Sequence, residues 1–375
     1  MKLRHDFVEL AAQKAVPFNE LCRRFGISRQ TGYKWMGRFK EQGLDGLADQ
    51  SRRPLNSPSI TLPAVEQHVL GVRAQNPAWG GRKISQYLSD QGEVQTAPAP
   101  STITSILHRH RKITEQASSD ATAWHRFERE QPNELWQMDF KGHFPTLGEG
   151  RCHPLTVLDD HSRYNVVLQA CTLTNTATVQ GHLTRAFSMH GLPHQINTDN
   201  GSPWGAPKQP GQLTELAIWL IRLGICVSYS RPFHPQTNGK DERFHRSLKA
   251  EVLNGRSFAT QDEVQAEFER WRELYNHKRP HEGIGLSTPI KRYRPSARAF
   301  PDTLPTPEYG PDDEVLRVGW NGKLVFRGLK LKVSNALQLM DVAARQNPEK
   351  ADTFDFYFGH HRFMKLDLNE PTTTR

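Results

Sequence analysis

The stretch RPFHPQTNGKDERFHRSLKAEVL (231–253) carries a carboxylate, Glu242, at the head of a segment with helical spacing and many amides and cations. On a 3.6-residue period Glu242, His245, Arg246 and Lys249 share one face while Phe244, Leu248 and Val252 share another, so a polar side separates from an apolar one. Asp241 points about 100° away from Glu242 on the same helix. Taken alone, the segment is equally an ordinary surface helix with a Glu242–Arg246 pair worth roughly 0.2–0.5 kcal/mol. Two further acids in marked surroundings shift that balance: Asp139 in WQMDFKG and Asp199 in INTDNGSPW.

The pattern around these acids alternates strands and helices. ELWQMDFKGHF (134–144), HPLTVLDD (153–160) and NVVLQAC (165–171) read as consecutive strands, TATVQGHLTRAFSMHG (176–191) as a helix, and HQINTD (194–199) as a fourth strand. TELAIWLIRLG (214–224) is then a helix, ICVSYS (225–230) a fifth strand, and the Glu242 helix follows. A meander feeding two β-α-β units predicts a mixed sheet flanked by helices, with the first and fourth strands as parallel neighbours. Asp139 and Asp199 then sit near the carboxyl ends of those strands, where open α/β sheets place ligands. Three carboxylates from two strands and one helix suit divalent cations that clamp the attacking and leaving oxygens of a phosphodiester. Asp159, Asp160 and Asp241 compete as ligands, and His234 and His245 as a general acid or phosphate contact.

The chain of 375 residues is long enough for several domains, and its net charge of +9 fits a polyanionic partner. Residues 1–50 predict a helix-turn-helix: Phe7, Val8, Leu10 and Ala11 mark one helix, Leu21, Cys22 and Phe25 a second, and Ser28 caps a third. In that third helix Tyr33, Met36 and Phe39 are expected inside, with Gln30, Thr31, Lys34 and Arg38 facing DNA. Residues 51–61 form a basic linker whose Arg52 and Arg53 suit a minor groove, though a merely solvated linker fits equally. Residues 62–112 predict a second helix-turn-helix, its third helix capped by Ser101 and offering Thr102, Thr104, Ser105 and Arg109 to DNA. A polar connector (113–132) leads into the α/β region (133–300), and 305–375 reads as a small β-barrel-like domain with hairpins at Asn321-Gly322 and Gly359. Its Arg317, Lys323, Arg327, Lys330 and Lys332 are available to phosphates, or merely protect strand edges. Four scattered cysteines without close spacing speak against zinc and disulfides and for a reducing compartment. The start MKLRHDFVEL lacks the core of a signal peptide, and the longest apolar run, LAIWLI (216–221), is too short to span a membrane.

HPQTNGKDERFHRSLK together with YNHKRPHEGIGLSTP (275–289) resembles the DDE transposases and retroviral integrases, most closely bacterial insertion-sequence transposases made as one continuous frame. WQMDFKG and TDNG would be weak alone. The resemblance covers nearly the whole chain and implies helix-turn-helix domains, an α/β ribonuclease-H-like integrase core and a small C-terminal β-domain. It implies that Asp139, Asp199 and Glu242 are the catalytic, metal-binding triad, and that Asn200, Gln236, Asn238, Lys240, Arg243, Arg246 and Lys249 line a DNA channel. It further implies Mg²⁺, two ions per site with Mn²⁺ as substitute, double-stranded DNA as partner, a homodimer or larger synaptic assembly, and a bacterial cytoplasmic, nucleoid-associated setting. The expected activity is hydrolysis at transposon ends to free a 3′-hydroxyl, followed by its attack on target DNA. Two departures stand out: PWGAPKQPGQ (203–212) lengthens the stretch between Asp199 and Glu242, and the zinc-binding His/Cys domain of retroviral integrases is absent. A catalytically silent DNA-binding regulator of the same descent, and a ribonuclease H, are the alternatives.

Overall fold

The computed structural model describes residues 2–49, 61–92, 94–113, 128–205, 212–230 and 239–369. Arg52, Arg53, His234, Gln236 and Asn238, with most of the expected linker and connector, lie outside the described residues. The chain divides into two compact units, 1–61 and 62–375.

The first unit is a helical trio, α1 (Lys2–Gln13), α2 (Phe18–Arg24) and α3 (Arg29–Gln42), closed by a 3₁₀ turn at Gly43–Leu47. Ser28 caps α3 as expected, its hydroxyl accepting from the Thr31 amide at 3.2 Å. The inward face includes Met36 and Phe39 as expected but differs at Tyr33. Gly32 is buried where a Cβ would meet Phe7 Cζ at 2.9 Å and Cys22 Sγ at 3.0 Å, and Trp35, Met36 and Phe39 pack against the same cluster as those two residues. Tyr33 stays 63% exposed, stacked on Phe18 from outside at 4.3 Å.

In the second unit α4 (Pro63–Gln75), α5 (Gly81–Gln91) and α6 (Pro100–Arg109) enclose Val69, Trp79, Ile84, Leu88, Ile103 and Leu107. Leu274 of the α/β region packs against this cluster, and Lys291 reaches Asp90 at 3.3 Å. α6 begins at Pro100 rather than under a Ser101 cap, proline being favoured in a helix's first turn, where its missing N–H costs nothing.

The α/β sheet contains β1 (Leu135–Phe140), β2 (Phe144–Pro145), β3 (Arg151–Asp159), β4 (Asn165–Cys171), β5 (Gln195–Thr198) and β6 (Cys226–Tyr229). The spatial order is β4-β3-β1-β5-β6, antiparallel up to β1 and parallel beyond it, with short β2 beside the start of β3. One face (Trp136, Met138, Leu155, Val157, Ile196) is covered by α7 (Thr176–His190) and α8 (Glu215–Arg222). The other face (Leu158, Leu168) is covered by α9 (Gly239–Leu248) and α10 (Gln261–Glu273) through Phe244, Leu248, Phe268 and Trp271.

α8 explains the LAIWLI run, whose six residues are all buried. A helix apolar all round needs cover on every side. The far side is closed by the terminal strands: Phe326, Phe356 and Phe358 belong to the same core, Arg222 donates to the Leu304 and Pro305 carbonyls, and Ser334 donates to the Leu213 carbonyl at 2.7 Å. Those strands are β7 (Glu314–Arg317), β8 (Lys323–Phe326), β9 (Leu329–Lys332), β10 (Asp341–Asn347), β11 (Lys350–Phe358) and β12 (His361–Asp367). They build a four-stranded antiparallel sheet, β12-β11-β10-β7, and a separate β8-β9 hairpin. The hairpin turns at Arg327-Gly328, whose positive φ angles of 48° and 79° give a tight reversal; Asn321-Gly322 instead bends the chain between β7 and β8. The expected turn at Gly359 joins β11 and β12. All four cysteines are unpaired. Among the described residues no helix is long and apolar enough to cross a membrane.

Candidate catalytic centre

Asp139 lies one residue before the carboxyl end of β1, and Phe140 donates its amide to Asp139 Oδ1 at 2.7 Å. β5 runs parallel beside it with Gln137 opposite Asn197, so two residues further on Asp199 comes level with Asp139. α9 crosses beside β1 and β3 and presents Glu242, exposed, in its first turn. Burial first, then the charge of Asp199, and after it that of Glu242, push the Asp139 carboxyl up to about 7 against the opposing pull of the Phe140 amide. A carboxylate flanked by two further carboxylate charges belongs to a donor set suited to a hard divalent cation.

Asp139 also belongs to a different close grouping: donor atoms of Asp139, Asp241 and His245 lie within 4.8 Å of one another. Asp241 is fully buried and points at the sheet, accepting from Thr156 Oγ1 at 3.2 Å, with His245 Nε2 3.2 Å away. Burial, and then the Asp139 charge, raise its carboxyl well above the ordinary carboxylate range. His245 is only 13% exposed, and burial followed by the nearby Lys141 lowers its imidazole to about 3, so it is a neutral hydrogen-bonding partner rather than half of an ion pair. It therefore lies under the helix with Asp241 and not on the outer face with Arg246 and Lys249, as its spacing suggested. The available signal was that position 241 falls three and seven residues before Phe244 and Leu248, on the buried stripe.

The remaining candidates divide in the same way. Asp159 serves the turn after β3, accepting from the Asn133 amide at 2.7 Å and from Ser162. Asp160 accepts from the Arg129 amide and from Gln137 Nε2, both at 2.9 Å, and pairs with Lys240. Lys240 is thus turned inward at 17% exposure, and burial with the like charge of Arg163 lowers its ammonium to about 8. Arg243 (62% exposed, 3.5 Å from Glu282), Arg246 and Lys249 remain on the outer side of α9, and Asn200 is exposed after β5. Lys141, which the sequence reading passed over inside WQMDFKG, lies near enough to Lys249 for that charge, after burial, to lower its ammonium. Gln30 and Lys34 are exposed on α3, Thr31 and Arg38 partly so. On α6, Thr102 is partly exposed, Thr104 donates to the Pro100 carbonyl, and Arg109 is held by Glu66 at 2.6 Å.

Comparison with known proteins finds the Integrase core domain family over residues 129–235 and again over 223–289. A Helix-turn-helix domain matches 4–54 and a Homeodomain-like domain 31–107. Among similar proteins, the insertion element IS407 uncharacterized 31.7 kDa protein of Burkholderia multivorans is 29% identical over 161 residues, 42% of this chain and 54% of that protein. The insertion element IS476 uncharacterized 39.2 kDa protein of Xanthomonas euvesicatoria is 30% identical over 161 residues, 43% and 44% of the two chains. The transposase for transposon Tn552 of Staphylococcus aureus is 24% identical over 326 residues, 76% of this chain and 64% of that one. The chain spans about half the length of the first two relatives. Overlapping integrase core matches, with helix-turn-helix matches ahead of them, show that the chain carries an integrase core domain behind helix-turn-helix domains, and its similar proteins include those of bacterial insertion elements.

Proposed function

We propose that this chain is a DNA transposase that binds the terminal inverted repeats of its element, cuts the phosphodiester at each end and joins the freed 3′-hydroxyl to target DNA. What supports this reading is that Asp139 and Asp199 lie at the ends of parallel neighbouring strands at equivalent register, and that the charges of Asp199 and of Glu242 on α9 both raise the Asp139 carboxyl. In the first step a water oxygen attacks phosphorus and the P–O3′ bond breaks, the 3′-oxygen leaving as a hydroxyl. In the second that hydroxyl attacks a target phosphorus and displaces a target 3′-oxygen. Asp139, Asp199 and Glu242 would hold divalent cations, Mg²⁺ or Mn²⁺ in its place, which when bound activate the attacking oxygen and offset charge on the leaving one. The chain's own part is to bind and orient. Arg243, Arg246, Lys249 and Lys141 offer cations to the DNA backbone beside the acids, Asn200 with Gln236 and Asn238 offers amide contacts, and Gln30, Thr31, Lys34 and Arg38 of α3 read the ends. Two copies, each holding one end, make the smallest assembly that joins both ends to one target.

The test is Glu242→Gln, which keeps the size of the side chain and removes its charge. On an end-containing duplex with Mg²⁺, cutting and joining should fall to background while binding is retained. Full activity in that variant overturns the assignment, and absence of nicking by the wild-type chain favours the silent regulator.

A further inference from the structure

We propose that the Thr156 hydroxyl, with Asp241 and His245, is a positioning lock that fixes the rotation of α9 and so sets Glu242 against Asp139. This rests on the transposase reading and deepens it. Thr156 is fully buried on β3 directly opposite Asp139 of β1. Its Oγ1 lies 3.1 Å from the Asp139 carbonyl oxygen, 3.2 Å from each Asp241 carboxylate oxygen and 2.8 Å from His245 Nε2. One hydroxyl therefore touches β1 at the residue that carries the first acid, and touches α9 at two positions one turn apart that bracket Glu242. When Nε2 carries the imidazole proton it donates to Oγ1, and the hydroxyl proton remains for Asp241 or the Asp139 carbonyl.

Direction is what these contacts add. Phe244 and Leu248 hold α9 against the sheet, but apolar burial is non-directional and tolerates small rotations of a helix about its axis. A carboxylate carried roughly 6 Å from that axis moves about 1 Å for each 10° of rotation, whereas ligand distances to Mg²⁺ are held near about 2.1 Å. Hydrogen bonds at 241 and 245 remove that freedom. A buried polar group such as the Asp241 carboxyl is costly, and an apolar residue of similar size would be cheaper to bury, so its contribution here is orientation rather than stability.

The experiment is Mn²⁺ binding to the full chain, followed by loss of the free-ion electron paramagnetic resonance signal, with thermal melting to verify folding. Thr156→Val keeps the β-branched shape and removes the hydroxyl; its half-saturating Mn²⁺ should rise roughly tenfold or more at unchanged stoichiometry, the size of effect expected when a residue supporting metal ligands is lost. Thr156→Ser should bind within about twofold of wild type, because the hydroxyl is restored. If Thr156→Val does not fold, Thr156→Cys, with a weakly bonding thiol, carries the same expectation. Unchanged half-saturation in the folded Val or Cys variant overturns the proposal, as does a Ser variant as weak as the Val variant, which would assign the effect to packing. A loss of bound equivalents in Asp241→Asn also overturns it, by making Asp241 a ligand itself. Absence of Mn²⁺ binding by the wild-type chain sinks the underlying reading instead.

Discussion

Replacing Asp139 with Asn removes the carboxyl that burial and the charges of Asp199 and Glu242 push up to about 7 from its ordinary 3.8. Between those two values the folded chain holds a proton that the unfolded chain has released. Stability linked to this group is therefore greatest near pH 4 and falls as pH rises through 7. With a folded value of about 7, the loss between pH 5 and pH 8 comes to about 3 kcal/mol, and the full penalty at pH 8 to about 4 kcal/mol. An amide has no charge to desolvate, so Asp139→Asn should lack this slope and exceed the wild type in stability at pH 8, although it loses all cutting activity. Divalent cations should reverse the order, stabilising the ionised wild-type site and leaving the variant unchanged. Urea unfolding in chelator at pH 5, 6, 7 and 8, followed by tryptophan fluorescence, reads the difference between the two proteins. Parallel stability profiles, or a variant weaker than wild type at pH 8, would refute the argument that burial, with the charges of Asp199 and Glu242, raises the Asp139 carboxyl.

Other outcomes follow from particular contacts. Arg279 and Glu251 are each about 6% exposed and joined by three hydrogen bonds, Nη2 to Oε1 at 2.8 Å and Nε to Oε1 at 3.0 Å and to Oε2 at 3.2 Å; Arg279→Ala should cost about 3–5 kcal/mol in denaturant unfolding, and a simultaneous Glu251→Leu should recover part of it. Gly32→Ala forces a methyl against Phe7 and Cys22, and should lower stability of the first unit by about 1–3 kcal/mol by calorimetry. Lys34→Ala with Arg38→Ala should weaken binding to an end duplex by roughly tenfold or more and flatten its salt dependence, read by anisotropy. Arg109→Ala removes an exposed pair with Glu66 and should change stability by less than about 1 kcal/mol, with end binding unaltered.

Strand and helix order was legible because the apolar periods are clean: Trp136 and Met138 against Gln137 and Asp139, or the wholly apolar 216–221 with its threonine cap at 214. The level placement of Asp139 and Asp199 followed from strand order alone. What remained hidden depended on what each surface packs against. Tyr33 has the spacing of an inward residue, yet Gly32 occupies the place where α3 meets Phe7 and Phe18, leaving Tyr33 to stack from outside. Lys240 reads as a phosphate contact until the buried Asp160, eighty residues earlier, is seen to need a counter-charge. The hairpin moved from Asn321-Gly322 to Arg327-Gly328 because Phe326 and Leu324 must both reach the shared core, which the later turn allows. Arg327 accepts the positive φ that a glycine would take more easily.

Asp241 and Glu242 show how one helical phase separates two identical functional groups. The same 100° step buries one carboxylate against Thr156 and leaves the other facing out beside Asp139 and Asp199. Nearby cations do not neutralise the group: Lys240 pairs with Asp160, Arg243 with Glu282, and His245 is neutral. On the proposed function, a chain of net charge +9 gathers carboxylates where a scissile phosphate would approach, with Lys141, Arg246 and Lys249 on the same side. Bare, that centre repels the phosphate its rim attracts. Divalent cations remove the conflict, so metal and DNA should each raise the affinity for the other, by the same factor, since coupling between two binding equilibria is reciprocal.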